Sequence, residues 1–389
     1  MNNFPYLSLP IKITSSNYIG NHVAIRSNTQ IFISNLNQIF CVIIEPIETF
    51  LEISNKNELK LKNFEEIDKN EFKHSIEIQE IFLYQEQKTQ KEYLASIDKS
   101  NRLIIRLLNS EGEPIEYKIF HNKLPIGTSF GWGGIDMKLF EENILIATAN
   151  MFGKVIDIYD FETSKLIRRI QTGQFPMQIK LMFLENKKKQ VITTELNQIV
   201  VYDFELPEQQ ECVKRIISPS NELLYSLEVG EHFIAAGGAN RSIYFYNNQN
   251  YTFLESWLNA TKHEISHFKI PKNHQDICFV GGNDQELIIG LWSKKKRNEM
   301  MRMNEYKELN LLSDSNWIGF DVKENNINDE NNLNNFIFFV GLSQIGSLYF
   351  FPYNIQFDNS SDKSNQHFPL QNNLGTKRSL NENQNQNQN

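Results

Sequence analysis

The sequence is poor in cysteine, which argues against a fold held together by disulfides. Its three cysteines are Cys41, Cys212 and Cys278. Their number is odd, and they lack the CxxC spacing typical of zinc and redox sites. Such residues are usually small apolar members of the core in a reducing compartment. We therefore expect a fold that depends on packing alone.

Long apolar runs and a basic excess are also missing. The longest apolar run, residues 336–342, is far shorter than the ~20 residues of a membrane-spanning helix. The first residues show neither the basic nor the apolar part of a secretory signal, so we predict a cytoplasmic or nuclear protein without a membrane partner. With 39 Lys and Arg against 47 Asp and Glu, the net charge is −8. This balance argues against a general nucleic-acid binder.

The motifs of nucleophilic catalysis and of phosphate-binding loops are absent as well. No Gly-x-Ser-x-Gly nucleophile and no Ser/His/Asp order stands out. The segment Gly131-Trp-Gly-Gly134 lacks the spacing of a phosphate-binding loop and precedes a predicted strand instead of a helix. Its glycines are interpreted as turn residues. We predict a protein that is not an enzyme and has no cofactor, metal or small-molecule substrate.

One motif suggests a different chemistry. His263-Glu264-Ile-Ser-His267 fits HExxH, in which a helix places two histidines one turn apart to bind zinc and the glutamate acts as a base. Here the motif runs into the alternating segment 265–271, which predicts a strand that would keep the two imidazoles apart. We interpret the motif as the entry to a sheet, and a zinc hydrolase is kept as a minor alternative.

What the sequence does contain is a repeated β-hairpin. An apolar strand, a Gly-Gly-x-Asn/Asp segment and a second apolar strand occur at residues 232–246 and again at 277–292. We interpret the glycines as turn residues at positive φ. The hairpins begin at residues 23, 93, 144, 191, 233, 277 and 336. A period of about 45 residues with about four strands is typical of a propeller blade. We predict an all-β, seven-bladed β-propeller over residues 5–353.

Three segments fall outside the regular period. Residues 45–70 are predicted to be an exposed insertion, and the Asn-rich residues 325–335 a disordered loop. The Asn/Gln-rich tail 354–389 is predicted to be disordered. The spare strand at residues 6–14 is predicted to pair with the last blade and to close the ring, which removes the open sheet edges.

With these hairpins assigned, the chain resembles the WD40-repeat family over roughly residues 5–353. The resemblance rests on the segment from Gly281-Gly-Asn-Asp284 to Trp292, and on Tyr159-Asp160 and Tyr202-Asp203 in place of that family's Trp-Asp. The chain has no Gly-His or Trp-Asp dipeptide and only 18 glycines. The Asp–His–Ser/Thr–Trp network of the family is therefore expected to be mostly missing, and apolar packing must replace it.

The resemblance implies a scaffold that binds other proteins in a multi-subunit assembly. On the face that carries the hairpin turns, the candidate contact residues are Trp132, Phe175, Arg241 and Asp284, since aromatic and arginine side chains dominate interfaces. The opposite face carries two basic runs, formed by Lys187, Lys188, Lys189, Lys294, Lys295, Lys296 and Arg297. A second hypothesis is a non-catalytic RNA-associated subunit of an RNA-modifying or RNA-processing complex, which would use this basic face.

Overall fold

The structure is a computed structural model that describes residues 6–14, 20–45, 59–121, 133–184, 188–275, 277–282, 287–292, 300–302, 316–325 and 336–354. The chain divides into one compact unit of residues 1–354 and a second unit of residues 355–389. The tail predicted to be disordered, apart from its first residue, lies outside the described residues, and so does the Asn-rich loop after Asn325.

The described strands form seven antiparallel sheets of four strands each, which we number in chain order. Sheet 1 contains β2 (Val23–Ile25), β3 (Gln30–Asn35), β4 (Gln38–Ile44) and β5 (Leu61–Glu66). Sheet 2 contains β6 (Ile78–Gln85), β7 (Glu92–Asp98), β8 (Arg102–Leu108) and β9 (Pro114–His121). Sheet 3 contains β10 (Ile135–Phe140), β11 (Asn143–Asn150), β12 (Val155–Asp160) and β13 (Leu166–Gln171).

The remaining four sheets follow the same order. Sheet 4 contains β14 (Pro176–Phe183), β15 (Lys189–Glu195), β16 (Gln198–Asp203) and β17 (Cys212–Ile217). Sheet 5 contains β18 (Leu224–Val229), β19 (Phe233–Gly238), β20 (Ile243–Asn247) and β21 (Phe253–Trp257). Sheet 6 contains β22 (Ile265–Lys269), β23 (Ile277–Gly282), β24 (Leu287–Trp292) and the short β25 (Met300–Arg302). Sheet 7 combines β26 (Trp317–Asn325), β27 (Phe336–Ser343) and β28 (Ser347–Asn354) with β1 (Tyr6–Ser8).

This arrangement confirms the predicted all-β propeller, with six full blades and a smaller sheet 6. A single 3₁₀ turn, Asn70–Phe72, precedes β6 in the described part of the chain. No helix among the described residues is long and apolar enough to cross a membrane.

The core lies between neighbouring sheets. A middle strand such as β11 is almost continuously apolar, and its side chains are buried on both faces of the sheet. One cluster joins Ile97 and Ile105 of sheet 2 to Ile146 of sheet 3, and comparable clusters join sheet 3 to 4, 4 to 5 and 5 to 6. Sheets 3, 4 and 5 therefore each bury apolar side chains against both neighbouring sheets.

The N-terminal strand β1 pairs with β28, as the sequence predicts. Tyr6 lies opposite Tyr349, and the Leu9 N–H donates to the Gly346 carbonyl oxygen at 2.9 Å. Leu7 is buried in a cluster that contains residues of both sheet 7 and sheet 1. The pairing places the first described residues beside the last sheet.

Two local predictions need correction. Residues 61–66, inside the segment predicted as an insertion, form β5, the outer strand of sheet 1. Its residues are mostly polar and exposed, so the sequence shows no clear apolar alternation there. Phe64 stacks on Phe40, with ring centroids 4.9 Å apart.

The Gly-Gly pairs also lie within strands, not in turns: a Cβ on Gly238 would collide with the Leu223 carbonyl. Positive φ instead occurs at Arg241 (62°).

Alternating charges line the first strands of five consecutive sheets. They are Asp136, Lys180, Glu228, Lys269 and Asp321. Lys180 Nζ lies 2.9 Å from Glu228 Oε1, and Lys269 Nζ lies 3.9 Å from Asp321 Oδ1. Each pair joins two neighbouring sheets, so these ion pairs act between blades.

The two aspartates also bind the backbone of the next sheet. Asp136 Oδ2 accepts a hydrogen bond from the Leu181 N–H at 2.7 Å, and Asp321 Oδ2 accepts one from the Ile25 N–H at 3.0 Å. The second bond connects sheet 7 to sheet 1. Hydrogen bonds to a carboxylate are stronger than neutral ones, so these contacts fix how adjacent sheets align.

Glu80, on β6, is buried close to this row of charges. One of its oxygens, Oε2, has no hydrogen-bond partner among the described residues. Burial is the largest effect on Glu80 and raises its pKa to about 7, although Lys180 and Lys269 oppose the shift. The protonated form of Glu80 is thus favoured in the folded protein below about pH 7.

Sheet 2 contains a buried polar network. His74 contacts Asp98 Oδ2 through Nδ1 (2.8 Å) and the Ser96 hydroxyl through Nε2 (2.7 Å). Arg106 donates to Ser96 Oγ and, through Nε and Nη2, to both oxygens of Asp68 at 2.6 Å. This arrangement resembles the family network, with an arginine in place of the tryptophan.

Candidate functional site

Two connections at the same end of sheets 3 and 4 bring a pair of aromatic side chains to the surface. Phe152 lies in the turn between β11 and β12, and Phe175 lies in the connection from β13 to β14. Their ring centroids are 6.0 Å apart at an interplanar angle of 78°. Phe152 is 45% exposed and Phe175 is half-buried. We call Met151, Phe152, Lys154 and Phe175 the aromatic patch.

The turn that carries Phe152 is held from below by Asn150. The buried Asn150 accepts a hydrogen bond from the Gly153 N–H through Oδ1 at 2.5 Å. Lys154 completes the turn at a positive φ of 52°, and its N–H donates to the Met151 carbonyl at 3.3 Å. Since the side-chain amide replaces a backbone partner, Phe152 is held at the tip of a defined turn.

The connection that carries Phe175 is fixed by a buried carboxylate. Glu195 accepts hydrogen bonds from the Gln174 N–H (2.9 Å) and from the Tyr202 hydroxyl (2.5 Å). Burial, followed by the Glu195 carboxylate, raises the pKa of Tyr202, so its hydroxyl remains a donor. The Thr172 N–H donates to the Lys154 carbonyl at 2.8 Å, which ties this connection to the turn beneath Phe152.

A small apolar cluster lies beside the patch and extends it towards sheet 5. Met177 and Tyr225 are buried, and Met151, Leu223 and Ala239 pack against them. These residues come from three successive sheets, so they form one continuous apolar surface under the connecting loops. Ala239 precedes the turn that contains Arg241, which places that turn at the edge of the same surface.

The charges around the patch are mainly positive. Lys154 Nζ lies 4.9 Å from the centroid of the Phe175 ring, a cation–π contact. Arg241 donates to the Lys262 carbonyl at 3.2 Å and to Asn259 Oδ1 at 3.1 Å. In the described part of the chain, neither Lys154 nor Arg241 forms an ion pair with an acid. The nearby Glu195 is buried and already engaged.

No protein-family model and no curated protein matches the chain. Solved structures do match its fold. A chain of the structure titled "Crystal Structure of Mitotic Checkpoint Complex" aligns with a TM-score of 0.59 and 9% identity, over 90% of this chain and 92% of that chain. A chain of "Crystal structure of Chaetomium thermophilum Raptor" aligns with a TM-score of 0.58 and 11% identity, over 90% of this chain and 29% of that chain.

The fold is that of a WD40-like β-propeller. At these sequence identities the likeness concerns the fold alone. A propeller fold serves many unrelated functions, so the argument for function must come from sites on its surface.

The contact residues predicted from the sequence are only partly described. Phe175 belongs to the aromatic patch of the WD40-like propeller, and Arg241 lies in the turn that follows Ala239 of the neighbouring apolar cluster. Trp132 and Asp284 lie outside the described residues. The prediction missed Phe152, the most exposed member of the patch. The Asn-x-x-Gly turn that surrounds it was the available signal, because the tip of such a turn projects outward.

Of the predicted basic face, the structure describes Lys188 and Lys189. Lys188 is exposed, but Lys189 lies 2.9 Å from Glu205 and 4.5 Å from the centroid of the Phe140 ring. Lys187 and the second basic run, residues 294–297, lie outside the described residues. The basic face therefore stays a prediction, although Lys189 already has an acidic partner.

The HExxH motif lies on a turn and a strand of the propeller, as the alternating pattern predicts. His267, on β22, is buried, and its Nδ1 contacts the Ser266 hydroxyl at 2.8 Å. Burial lowers its pKa to about 3, so the imidazole is neutral. His263 is exposed. The strand thus separates the two side chains into different environments, unlike the helix that the zinc motif requires.

Proposed function

We propose that this chain is a non-catalytic scaffold that binds other proteins through the aromatic patch, as a subunit of a larger assembly. Its framework is a seven-bladed WD40-like ring closed by the N-terminal strand. The match to a chain from a solved mitotic checkpoint complex supports an assembly role, because that structure is itself a complex.

Three contacts support the closed ring. β1 completes sheet 7 by pairing with β28. The Ile25 N–H bonds to Asp321 across the junction of sheets 1 and 7. The apolar cluster around Leu7 contains Val23 of sheet 1 and Phe350 of sheet 7. A closed ring leaves the faces of the propeller as rigid surfaces on which loops can present side chains.

The observation that carries the proposal is the exposed Phe152–Phe175 pair on pre-organised loops. Single exposed aromatic residues are common, but two rings from different blades, held by buried hydrogen bonds, form a prepared contact surface. Interfaces concentrate their binding energy in such aromatic side chains.

Affinity purification with quantitative mass spectrometry tests the proposal. The bait is the full-length tagged protein, compared with the variant Phe152→Ala/Phe175→Ala. We expect at least one stoichiometric partner of the wild type to fall about tenfold or more in the variant. The matched control is Phe253→Ala, which removes another exposed aromatic (53% exposed) on the outer strand β21. Equal recovery of every partner by all three proteins would reject the proposed surface.

A further inference from the structure

We infer that the aromatic patch binds an acidic peptide segment that carries apolar anchor residues. This inference rests on the proposed function and adds the chemistry of the partner. Its basis is the combination of the Phe152–Phe175 pair with Lys154 and Arg241, which have no described ion pair, and with Arg215, whose acidic neighbour is buried.

Apolar side chains form one half of the surface. Phe152 is exposed and Phe175 is half-buried, and the partly buried Leu223 continues the apolar surface above the buried core of the neighbouring cluster. Leu258, 60% exposed, lies in the turn after β21, next to the Asn259 that bonds Arg241. A partner that covers this area must supply apolar side chains, because desolvated rings gain little from polar ones.

Positively charged side chains form the other half of the surface. Lys154 and Arg241 have hydrogen-bond or ring contacts but no described ion pair. Arg215 is exposed and lies against the Phe175 connection, where its Nη2 would contact a Cβ built on Gly173 at 3.1 Å. Its acidic neighbour Glu195, at 3.6 Å from Nη1, is fully buried and shared with Gln174 and Tyr202. The local surface is therefore cationic, although the chain carries −8 overall.

The arrangement of the two rings favours a peptide over a nucleic acid as the ligand. Lys154 is positioned over the Phe175 ring, and the rings meet edge to face at 78°. A stacking platform for bases needs open ring faces. Here one face of the Phe175 ring is occupied by a cation, and the aromatic ring of the neighbouring cluster, Tyr225, is buried. An acidic peptide can pair its carboxylates with the cations while its apolar residues cover the rings.

One exposed acidic residue near the surface should have the opposite effect on binding of an acidic peptide. Glu222 lies on the connection before β18, next to Leu223 of the apolar cluster. Its backbone N–H donates a hydrogen bond to the Ser220 hydroxyl oxygen, and no ion pair is described for its carboxylate. Removing this negative charge should strengthen binding of an acidic peptide, whereas reversing Lys154 or Arg241 should weaken it.

The experiment is selection of a displayed library of random 12-residue peptides on the full-length protein. Phe152→Ala/Phe175→Ala is used for counter-selection, so only peptides that need the patch are kept. We expect these peptides to be enriched in Asp and Glu together with Leu, Phe or Trp. For a synthetic peptide of this set, Lys154→Glu and Arg241→Glu should each weaken binding about tenfold, and Glu222→Gln should strengthen it two- to threefold. Phe253→Ala should leave affinity unchanged, and unaltered melting temperatures check that the variants are folded.

The outcomes separate the two levels of the argument. Patch-dependent peptides that are neutral or basic, or that ignore both charge reversals, would overturn the acidic chemistry and leave the proposed function standing. No patch-dependent peptide at all would reject the patch as a binding surface, and with it the proposed function. Tighter binding of a fluorescent 12-nucleotide oligouridine than of the selected peptides, lost in Lys154→Glu, would assign the patch to RNA instead.

Discussion

At the scale of single residues, Glu80 makes the stability of the protein depend on pH. Its pKa rises from 4.5 to about 7 on folding because it is buried. Between these values the native state binds more protons than the unfolded state, so the free energy of unfolding falls as pH rises. Above about pH 7 Glu80 is ionised in both the native and the unfolded state, so the full free-energy cost of burying its carboxylate remains. We expect Glu80→Gln to raise the free energy of unfolding by roughly 2–3 kcal/mol at pH 8.

Urea unfolding of the wild type and Glu80→Gln at pH 5 and pH 8 measures this effect. The gain should be much smaller at pH 5, where native Glu80 already carries a proton. Glu222→Gln is the control, because Glu222 is exposed and its substitution should change stability by less than about 0.5 kcal/mol at either pH. A Glu80→Gln variant that is less stable than the wild type at pH 8 would contradict the argument.

The sequence could indicate single residues only where the signal was local. Phe175 and Arg241 were chosen for their residue types beside predicted turns. The charged pair Lys180 and Glu228 could not be chosen in that way. It depends on two strands a full repeat apart meeting in register. The Arg106–Asp68 pair was equally hidden, since Asp68 lies in a segment that the sequence presents as an insertion.

At the scale of elements, β1 tests how much one short strand contributes. Leu7 is 3% exposed and packs in the cluster shared by sheets 7 and 1. We expect Leu7→Ala to lower the free energy of unfolding by roughly 2–4 kcal/mol, from lost burial and the cavity that remains. Lys12→Ala, at an exposed position in the same segment, should change it by less than about 0.5 kcal/mol. Equal stabilities by urea unfolding would mean that β1 is not part of the cooperative core.

Hairpins were predictable as elements because their period-two alternation and turns are local patterns. Outer strands were harder: β5 has a single half-buried aromatic, and β25 has three residues. An outer strand pairs on one edge and faces solvent on much of its surface, so its sequence is under weak apolar constraint. The turn chemistry misled for a related reason. Gly238 is needed because the backbone at Leu223 comes too close for a Cβ, and the sequence alone cannot distinguish that need from a turn.

At the scale of the whole molecule, the proposed ring makes the choice of chain ends largely arbitrary. Tyr6 of β1 lies opposite Tyr349 of β28, so the start of the propeller runs beside its end. We expect a circular permutant to fold, in which residue 354 is joined to residue 1 by a short Gly/Ser linker and new ends open between residues 46 and 58. The new break separates β4 from β5 in the chain, but the two strands still pair within sheet 1.

The reference protein is the linear chain 1–354. The permutant should unfold in one transition with a melting temperature within about 5 °C of the reference, because the same sheets and the same junction between sheets 7 and 1 are formed. The Leu7→Ala substitution should lower both melting temperatures. If the sheets formed an open array, the junction between sheets 7 and 1 would add nothing to stability. Leu7→Ala would then leave the melting temperature of the permutant unchanged, or the permutant would unfold in two steps. Either result would remove the ring that holds the patch-bearing loops in place.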